Sequence, residues 1–406
     1  MRIATANNYD STIKVLADRQ AQLAQQQERL ATGKRVLRAS DDPVSATLSE
    51  AARNRLARAE ADQRALEASR TSLQQAESGL AESGELIQRV RDLLVTAGNA
   101  AFTDSEREDV ARQLEGLREQ MIAVANRTDS AGRTLFGGLG GAATPFVDLY
   151  TPSGNGVTFN GQRGQAAAGN TALPQALDGE SIWMQVPQGN GRFVVTLPNS
   201  NTGAASTSMG EVIDPASYTG GDYRISFNQV AGQMQYTVID VTNGNTPLAS
   251  HTGVPYEPGK AVQFGGMSFT INGQPASGDA IDIEGSPARS DIFSIVQNAV
   301  EALRYDGANE SAHRNQELAR AMTEVDASHD RVLLARGRVG ELLNRADSLG
   351  SLLEGRAFDH KAEDSRLTDI DLVKGISDFQ TQQQGLEAAI KSYAQVQKLS
   401  LFSMIG

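Results

Sequence analysis

Residues 30–46 read LATGKRVLRASDDPVSA, and two different helical patterns meet in them. Ahead of this stretch Tyr9, Ile13, Leu16, Leu23 and Leu30 recur at heptad-like spacing, with Gln20 and Gln27 in the intermediate positions. That is one thin stripe along one helix face. Thr32-Gly33 ends the helix, because glycine takes the left-handed conformation that closes a helix terminus. Val36 and Leu37 give the connector something apolar to bury. Asp42-Pro43 starts the second helix: Asp42 caps it, and proline suits the first helical position, where no backbone donor is lost. Ser40 and Asp41 add a second candidate cap and negative charge near the positive end of the helix dipole. With no third ligand nearby, the Asp41-Asp42 pair reads as a helix start rather than as a metal or catalytic site.

Composition bounds the rest. The chain has 406 residues, room for two or three domains. It has no cysteine, so neither disulfide nor thiolate chemistry is available. Its formal charge of −12 argues against a nucleic-acid partner. No apolar run is long enough to span a membrane, and the N-terminal residues carry no apolar signal core. With 12 Phe, 8 Tyr and 1 Trp, aromatic residues are too few for one large compact core. Residues 137–290 hold 11 of the 12 prolines and 25 of the 39 glycines, but only 5 of the 37 Lys and Arg residues. The expected fold is therefore mainly α with a β insert. A long antiparallel helical bundle or coiled coil is built from both chain ends, and a Gly/Pro-rich β domain interrupts it. The expected boundaries are 1–42 with 365–406 for the terminal helices, 43–136 with 290–364 for the long bundle, and 137–289 for the insert.

From Pro43 the helix can run to about Gly98, roughly 80 Å. Leu66, Leu73, Leu80, Ile87 and Leu94 fall every seventh residue, with Ser69, Ala76, Ser83, Val90 and Ala97 between them. This is a core stripe with small residues that let a neighbour approach. Thr103 and Glu106 stand at capping-box spacing, and Val110, Leu114, Leu117, Met121 and Val124 give the next stripe. In the insert, 181–186 and 192–197 are candidate strands around a Gly-Asn-Gly turn. Residues 223–227 and 235–241 pair across Ala231-Gly232, and 262–264 with 267–271 flank Gly265-Gly266. A last short strand covers 280–283. Trp183 reads as a core or strand-surface residue rather than a sugar-stacking one. The GGLGG run at 137–141 follows a helix and lacks a Lys-Ser/Thr pair, so it is no phosphate loop.

Ser290 is the expected cap of a helix that buries Phe293, Val296, Val300 and Leu303. A further stripe runs through Leu318, Met322, Val325, His329, Val332, Val339, Leu343, Ala346 and Leu353. His329 on it reads as a partly buried, hydrogen-bonded core residue. Leu372, Ile376, Phe379, Leu386, Ile390 and Tyr393 form a last thin stripe, with Gln383 at a gap. It mirrors the first in length and glutamine content, and neither stripe is stable alone. The expected assembly interface is therefore Ile13, Leu16, Leu23 and Leu30 with Phe379, Leu386, Ile390 and Tyr393. The apolar tail adds Leu399, Leu401 and Phe402, and Gly33, Asp42 and Pro43 form the hinge.

Several of these stretches resemble the flagellin superfamily: the Thr32-Gly33 connector with its Ser40-Asp41-Asp42 helix start, Asn126-Arg127-Thr128-Asp129, ARGRVGELLNR at 335–345, and SRLTDIDLVKGISDFQTQQQ at 365–384 with Asp371 before the last helix. Leu135-Phe136-Gly137-Gly138 and the ending Leu399-Ser400-Leu401-Phe402 are similar to the junction proteins of that superfamily, on the filament side, rather than to flagellin. Residues 259–284 resemble the outer domains of such proteins. The resemblance implies a structural ring of like subunits between the hook-side junction protein and flagellin. Terminal helices would line the inner tube, and the insert would face outward. It further implies secretion through the flagellar export route without a cleaved signal, and an export chaperone on the C-terminal helix. The residues offer no catalytic, cofactor or metal constellation, so the expectation is a non-enzyme with no nucleic-acid or membrane partner. The alternatives are flagellin itself, or a glycan-binding or enzymatic module in 137–289.

Overall fold

The computed structural model describes residues 2–99, 101–149, 156–165, 167–168, 173–285, 289–306 and 310–405; the side chains at 2–9, 167–168 and 396–405 fall outside that description. The fold is mainly helical, with helices at both ends and a strand-rich centre. Among the described residues seven α-helices follow in order: α1 Arg2–Thr32, α2 Pro43–Ala97, α3 Asp104–Ala125, α4 Gly179–Trp183, α5 Ile292–Arg304, α6 Glu310–Thr368 and α7 Leu372–Ile405. The chain divides into two compact units, residues 1–64 with 348–406 and residues 65–347.

The larger unit contains two cores. One is helical: Leu73, Leu80, Ile87 and Leu94 of α2 are buried, as are the intervening Ala76, Val90 and Ala97. Val110, Leu114, Leu117, Met121 and Val124 of α3 join them, with Phe293, Val296, Val300 and Leu303 of α5 and Leu318, Val325, Val332 and Val339 of α6. The seven-residue period is thus the period of burial. Thr103 caps α3 reciprocally: its hydroxyl accepts from Glu106 N at 3.3 Å, and its own N–H donates to Glu106 Oε2 at 2.7 Å. His329 is half-buried, its Nε2 3.3 Å from the Gln88 amide nitrogen.

This core also takes in Phe146, Val157, Leu177, Ile182, Trp183 and Val186. Trp183 is 1% exposed and meets Phe136 edge-on at 4.6 Å and Phe146 at 5.4 Å. The expected strand at 181–186 is instead the short helix α4. Asp178 caps it by accepting from Ser181 N, and one helical turn aims both Ile182 and Trp183 into the core, which an alternating strand cannot do. The strand that follows, Val186–Pro187, pairs with Arg289–Ser290 rather than across the Gly-Asn-Gly turn. Because Ser290 is used in that pair, the cap of α5 passes to Asp291, whose Oδ1 accepts from Ser294 N at 2.7 Å.

The second core lies wholly between Phe193 and Ile283. Its six-stranded antiparallel sheet runs Thr246–Pro247, Gln233–Asp240, Tyr223–Val230, Ala280–Glu284 and Val194–Thr196, with Val254–Pro255 also on Gln233–Asp240. The expected hairpins are present. Ala231 and Gly232, at φ +49° and +84°, close one over an unbroken register from Gln233↔Val230 to Asp240↔Tyr223. Gly265 and Gly266 close Ala261–Phe264 onto Met267–Asn272 with Phe264↔Met267 at the turn. Two-residue turns with both residues at positive φ match the twist of the strands they join.

The Asn126-Arg127-Thr128-Asp129 run ties the helical core to the first strands. The Asn126 side chain donates to Phe146 O and accepts from Phe146 N, both at 2.8 Å. Asp129 accepts from Ala131 N and Arg133 N, each at 2.9 Å, folding a tight loop after α3.

Candidate assembly interface

In the smaller unit the two chain ends meet. α1 packs on α7. Arg19 Nη1 donates to the Gly385 carbonyl at 3.3 Å, and Gln26 Nε2 to the Gly375 carbonyl at 3.2 Å. As one number rises the other falls, so the helices are antiparallel. This register sets Ile13 level with Ile390, Leu16 with Leu386 and Leu23 with Phe379. Near Leu30 the approach is closest: a Cβ added to Gly375 would stand 3.0 Å from Leu30 Cδ2 and 2.9 Å from Ile370 Cδ1.

The seam is only partly shielded. Leu16, Leu23, Leu30, Phe379, Leu386 and Tyr393 are half-buried, and Ile13 and Ile390 are each 51% exposed. Tyr9, Leu399, Leu401 and Phe402 lie outside the described side chains. Gln20, Gln27 and Gln383 are exposed; Gln26, one place off the stripe, is the glutamine that faces α7. Val44, Leu48, Phe358, Leu372, Val373 and Ile376 add further exposed apolar surface to this unit.

The hinge holds both ends together. Gly33 sits at φ +69°, as a helix-ending glycine should, and Asp42 caps α2, its Oδ1 accepting from Ser45 N at 3.0 Å. The Ser45 hydrogen bonds, from side chain and backbone, bring the Asp42 carboxyl down to about 2. Asp41 turns back instead, accepting from Leu37 N and Arg38 N, and those two backbone donors lower its pKa. Asp371 caps α7 through Val373 N and Lys374 N.

The sequence did not disclose the stitch between these two turns. Residues 33–36 run antiparallel to 368–370: Ile370 N donates to Gly33 O at 3.0 Å and Arg35 N to Thr368 O at 2.7 Å. Lys34 Nζ lies 2.5 Å from Asp369 Oδ1, and this contact, then that from Ser365, lowers the Asp369 pKa. Farther along, Arg53 and the buried Ser49 both reach Asp364, and Arg55 reaches Glu363. Gly33 frees an extended strand edge after α1; that was the legible hint that something must pair with it.

No group of three or more His, Cys, Asp or Glu able to hold a metal occurs among the described residues, and no helix among them is long and apolar enough to cross a membrane.

The geometry agrees with known proteins. The model of the bacterial flagellin N-terminal helical region matches residues 3–140. The flagellar hook-associated protein 3 of Salmonella typhimurium is 26% identical over 415 residues, covering 100% of this chain and 99% of that one. Its Escherichia coli counterpart is 25% identical over 412 residues, at 100% and 99% coverage. Among solved structures, a Xanthomonas campestris FlgL crystal structure is 28% identical with a TM-score of 0.66, covering 75% of this chain and 98% of that one. The Legionella pneumophila hook associated protein-3 is 26% identical with a TM-score of 0.71, at 78% and 98% coverage. Along its whole length the chain is thus similar to flagellar hook-associated protein 3 proteins, and over residues 3–140 to the bacterial flagellin N-terminal helical region.

Proposed function

We propose that this protein is a structural component of the flagellar hook–filament junction. The observation that carries the reading is coverage. The hook-associated protein 3 relatives align along 100% of the chain at 25% and 26% identity, outer β region included, whereas the longer flagellin matches cover 77% to 89% of it at 22% to 23% identity. Flagellin is therefore the less favoured reading, and the protein acts by assembly rather than by catalysis.

In this reading copies of the chain form one layer between the hook-side junction protein and flagellin. The terminal segments 1–42 and 365–406 line the inner tube as paired helices. Residues 43–136 with 290–364 form the next layer in coiled-coil fashion, and 137–289 face outward. The chain is exported through the flagellar secretion channel without a cleaved signal, its C-terminal helix held beforehand by an export chaperone. The α1–α7 seam supports this role, because a half-covered apolar pair gains burial when neighbours close over it. A deletion strain should carry hooks without filaments and shed flagellin into the medium, with growth restored by the gene in trans. Filaments of normal length in the deletion strain would rule the junction role out.

A further inference from the structure

Within unit 65–347, α6 reaches the strand-rich part of the chain with two buried side chains. Gln316 is 1% exposed. Its Oε1 accepts from Thr207 N at 2.7 Å and from Thr207 Oγ1 at 3.0 Å, and its Nε2 donates to Val195 O at 3.2 Å. Both partners lie on sheet edges: Val194–Thr196 ends the six-stranded sheet, and Ser206–Thr207 ends the sheet built on Met267–Asn272. One side-chain amide thus stands where a further strand's peptide group would stand, satisfying a backbone donor of one sheet and a backbone acceptor of the other. Two turns farther along α6, Glu324 is 3% exposed and accepts from Gly189 N at 2.8 Å. Residues eight apart fall on the same side of a helix.

These contacts span two cores that are separate. The apolar cluster of the strand module runs from Phe193 to Ile283, while the helical cluster stops at Val186 and resumes at Ile292. The pairing of Val186–Pro187 with Arg289–Ser290 ties both stumps of the module to the helical side. A cleft lined by Leu197, Pro198 and Ala205 of the module and by Tyr305, Ala312 and His313 runs along the joint. When a joint opens, its hydrogen bonds are exchanged for bonds to water, whereas buried apolar area has no such replacement. A joint of this make-up opens at lower cost than either core.

We propose that Gln316 and Glu324 form a latch, and that the strand module 193–283 swings off α6 as one body about the paired strands 186–187 and 289–290 while both cores stay folded. The closed latch fixes the angle at which the module stands on the helices, and its release lets that angle change. The inference is independent of the junction reading, because the free chain is enough to test it.

The test combines two measurements on the purified full-length chain. The first is hydrogen exchange by mass spectrometry. In Gln316→Met, which keeps the length of the side chain and loses its hydrogen bonds, segments 194–197 and 206–209 should exchange about tenfold faster, the effect of leaving a buried backbone group unpaired. The hairpin of Tyr223–Val230 with Gln233–Asp240 should not change, nor should α3 and α5. Glu324→Ala should speed exchange at 189–192, and Glu324→Gln, which keeps an acceptor for Gly189 N, should not. The second measurement is the distance between two nitroxide labels. The natural chain has no cysteine, so Glu119→Cys on α3 and Ala249→Cys on the module, both exposed, take the labels cleanly. Pulsed electron resonance should show a second, displaced population in Gln316→Met that the parent lacks. Faster edge exchange with an unmoved label distance makes Gln316 a local contact and overturns the swing. Equal acceleration in α3 and α5, or a Gln316→Met chain that does not fold, shows a single cooperative body and overturns it too. Unchanged exchange in Gln316→Met and Glu324→Ala overturns the latch itself.

Discussion

Replacing Phe379 by aspartate tests the seam between the chain ends. Phe379 is half-buried on α7 and level with Leu23 of α1. Removing half the burial of a phenylalanine costs about 1 kcal/mol. Placing a partly desolvated carboxylate among apolar neighbours adds about 1–2 kcal/mol. The sum of roughly 2–3 kcal/mol corresponds to about a 30- to 150-fold faster opening of the seam. Leu386→Asp should be milder, since Arg19 already reaches the Gly385 carbonyl next to it and can turn to the new carboxylate. The exposed Lys391→Asp is the control. Hydrogen exchange on the purified monomer is the assay: amides of both α1 and α7 should exchange faster, while α3 and α5, buried in the other unit's core, should not change. In cells the Phe379→Asp protein should be secreted, with hooks left bare. Acceleration confined to α7 would refute the pairing, because α1 would then not depend on it; so would normal filaments with unchanged swimming.

The other predictions concern the core, the outer module, the ends and the hinge. Phe136→Ala removes a fully buried ring packed against Trp183 and should lower the stability of unit 65–347 by about 3–5 kcal/mol in urea. Trp183 is the sole tryptophan, so its emission reports that transition. Replacing residues 192–285 by a short Gly/Ser linker should leave the helical core folded by circular dichroism, because Val186–Pro187 and Arg289–Ser290 already bring the two stumps together. The longer replacement of 140–285 should not, since it strips Phe146 and Trp183 from that core. Limited proteolysis of the monomer should remove both ends before anything in unit 65–347, as α1 and α7 cover each other only partly. The Asp42 pKa is lowered in the folded state, so its capping contribution is complete above the ordinary carboxylate value near 4 and disappears as pH falls toward about 2. Helicity of the purified chain between pH 5 and 2 should therefore fall less steeply in Asp42→Asn, which caps without a charge to lose.

Particular residues show how far a linear reading reaches. Wherever burial follows a local period, the sequence determined the outcome. The heptads Leu73 to Leu94 lie in the core, Thr103 and Glu106 cap α3, and the glycine-marked turns at 231–232 and 265–266 close their hairpins. α1 and α7 run antiparallel, with Arg19 at Gly385 and Gln26 at Gly375. These features depend on neighbours a few positions apart, where backbone geometry alone fixes which side chains share a face. The tertiary structure decided whatever depended on distant partners. Trp183 lies in one turn of helix because Phe136 and Phe146 surround it, and Ser290 yields the cap to Asp291 because Val186 claims its backbone. Lys34 finds Asp369 across more than three hundred residues. Charges and backbone edges carry no period of their own, so their pairing appears only once the whole chain has brought their surroundings together.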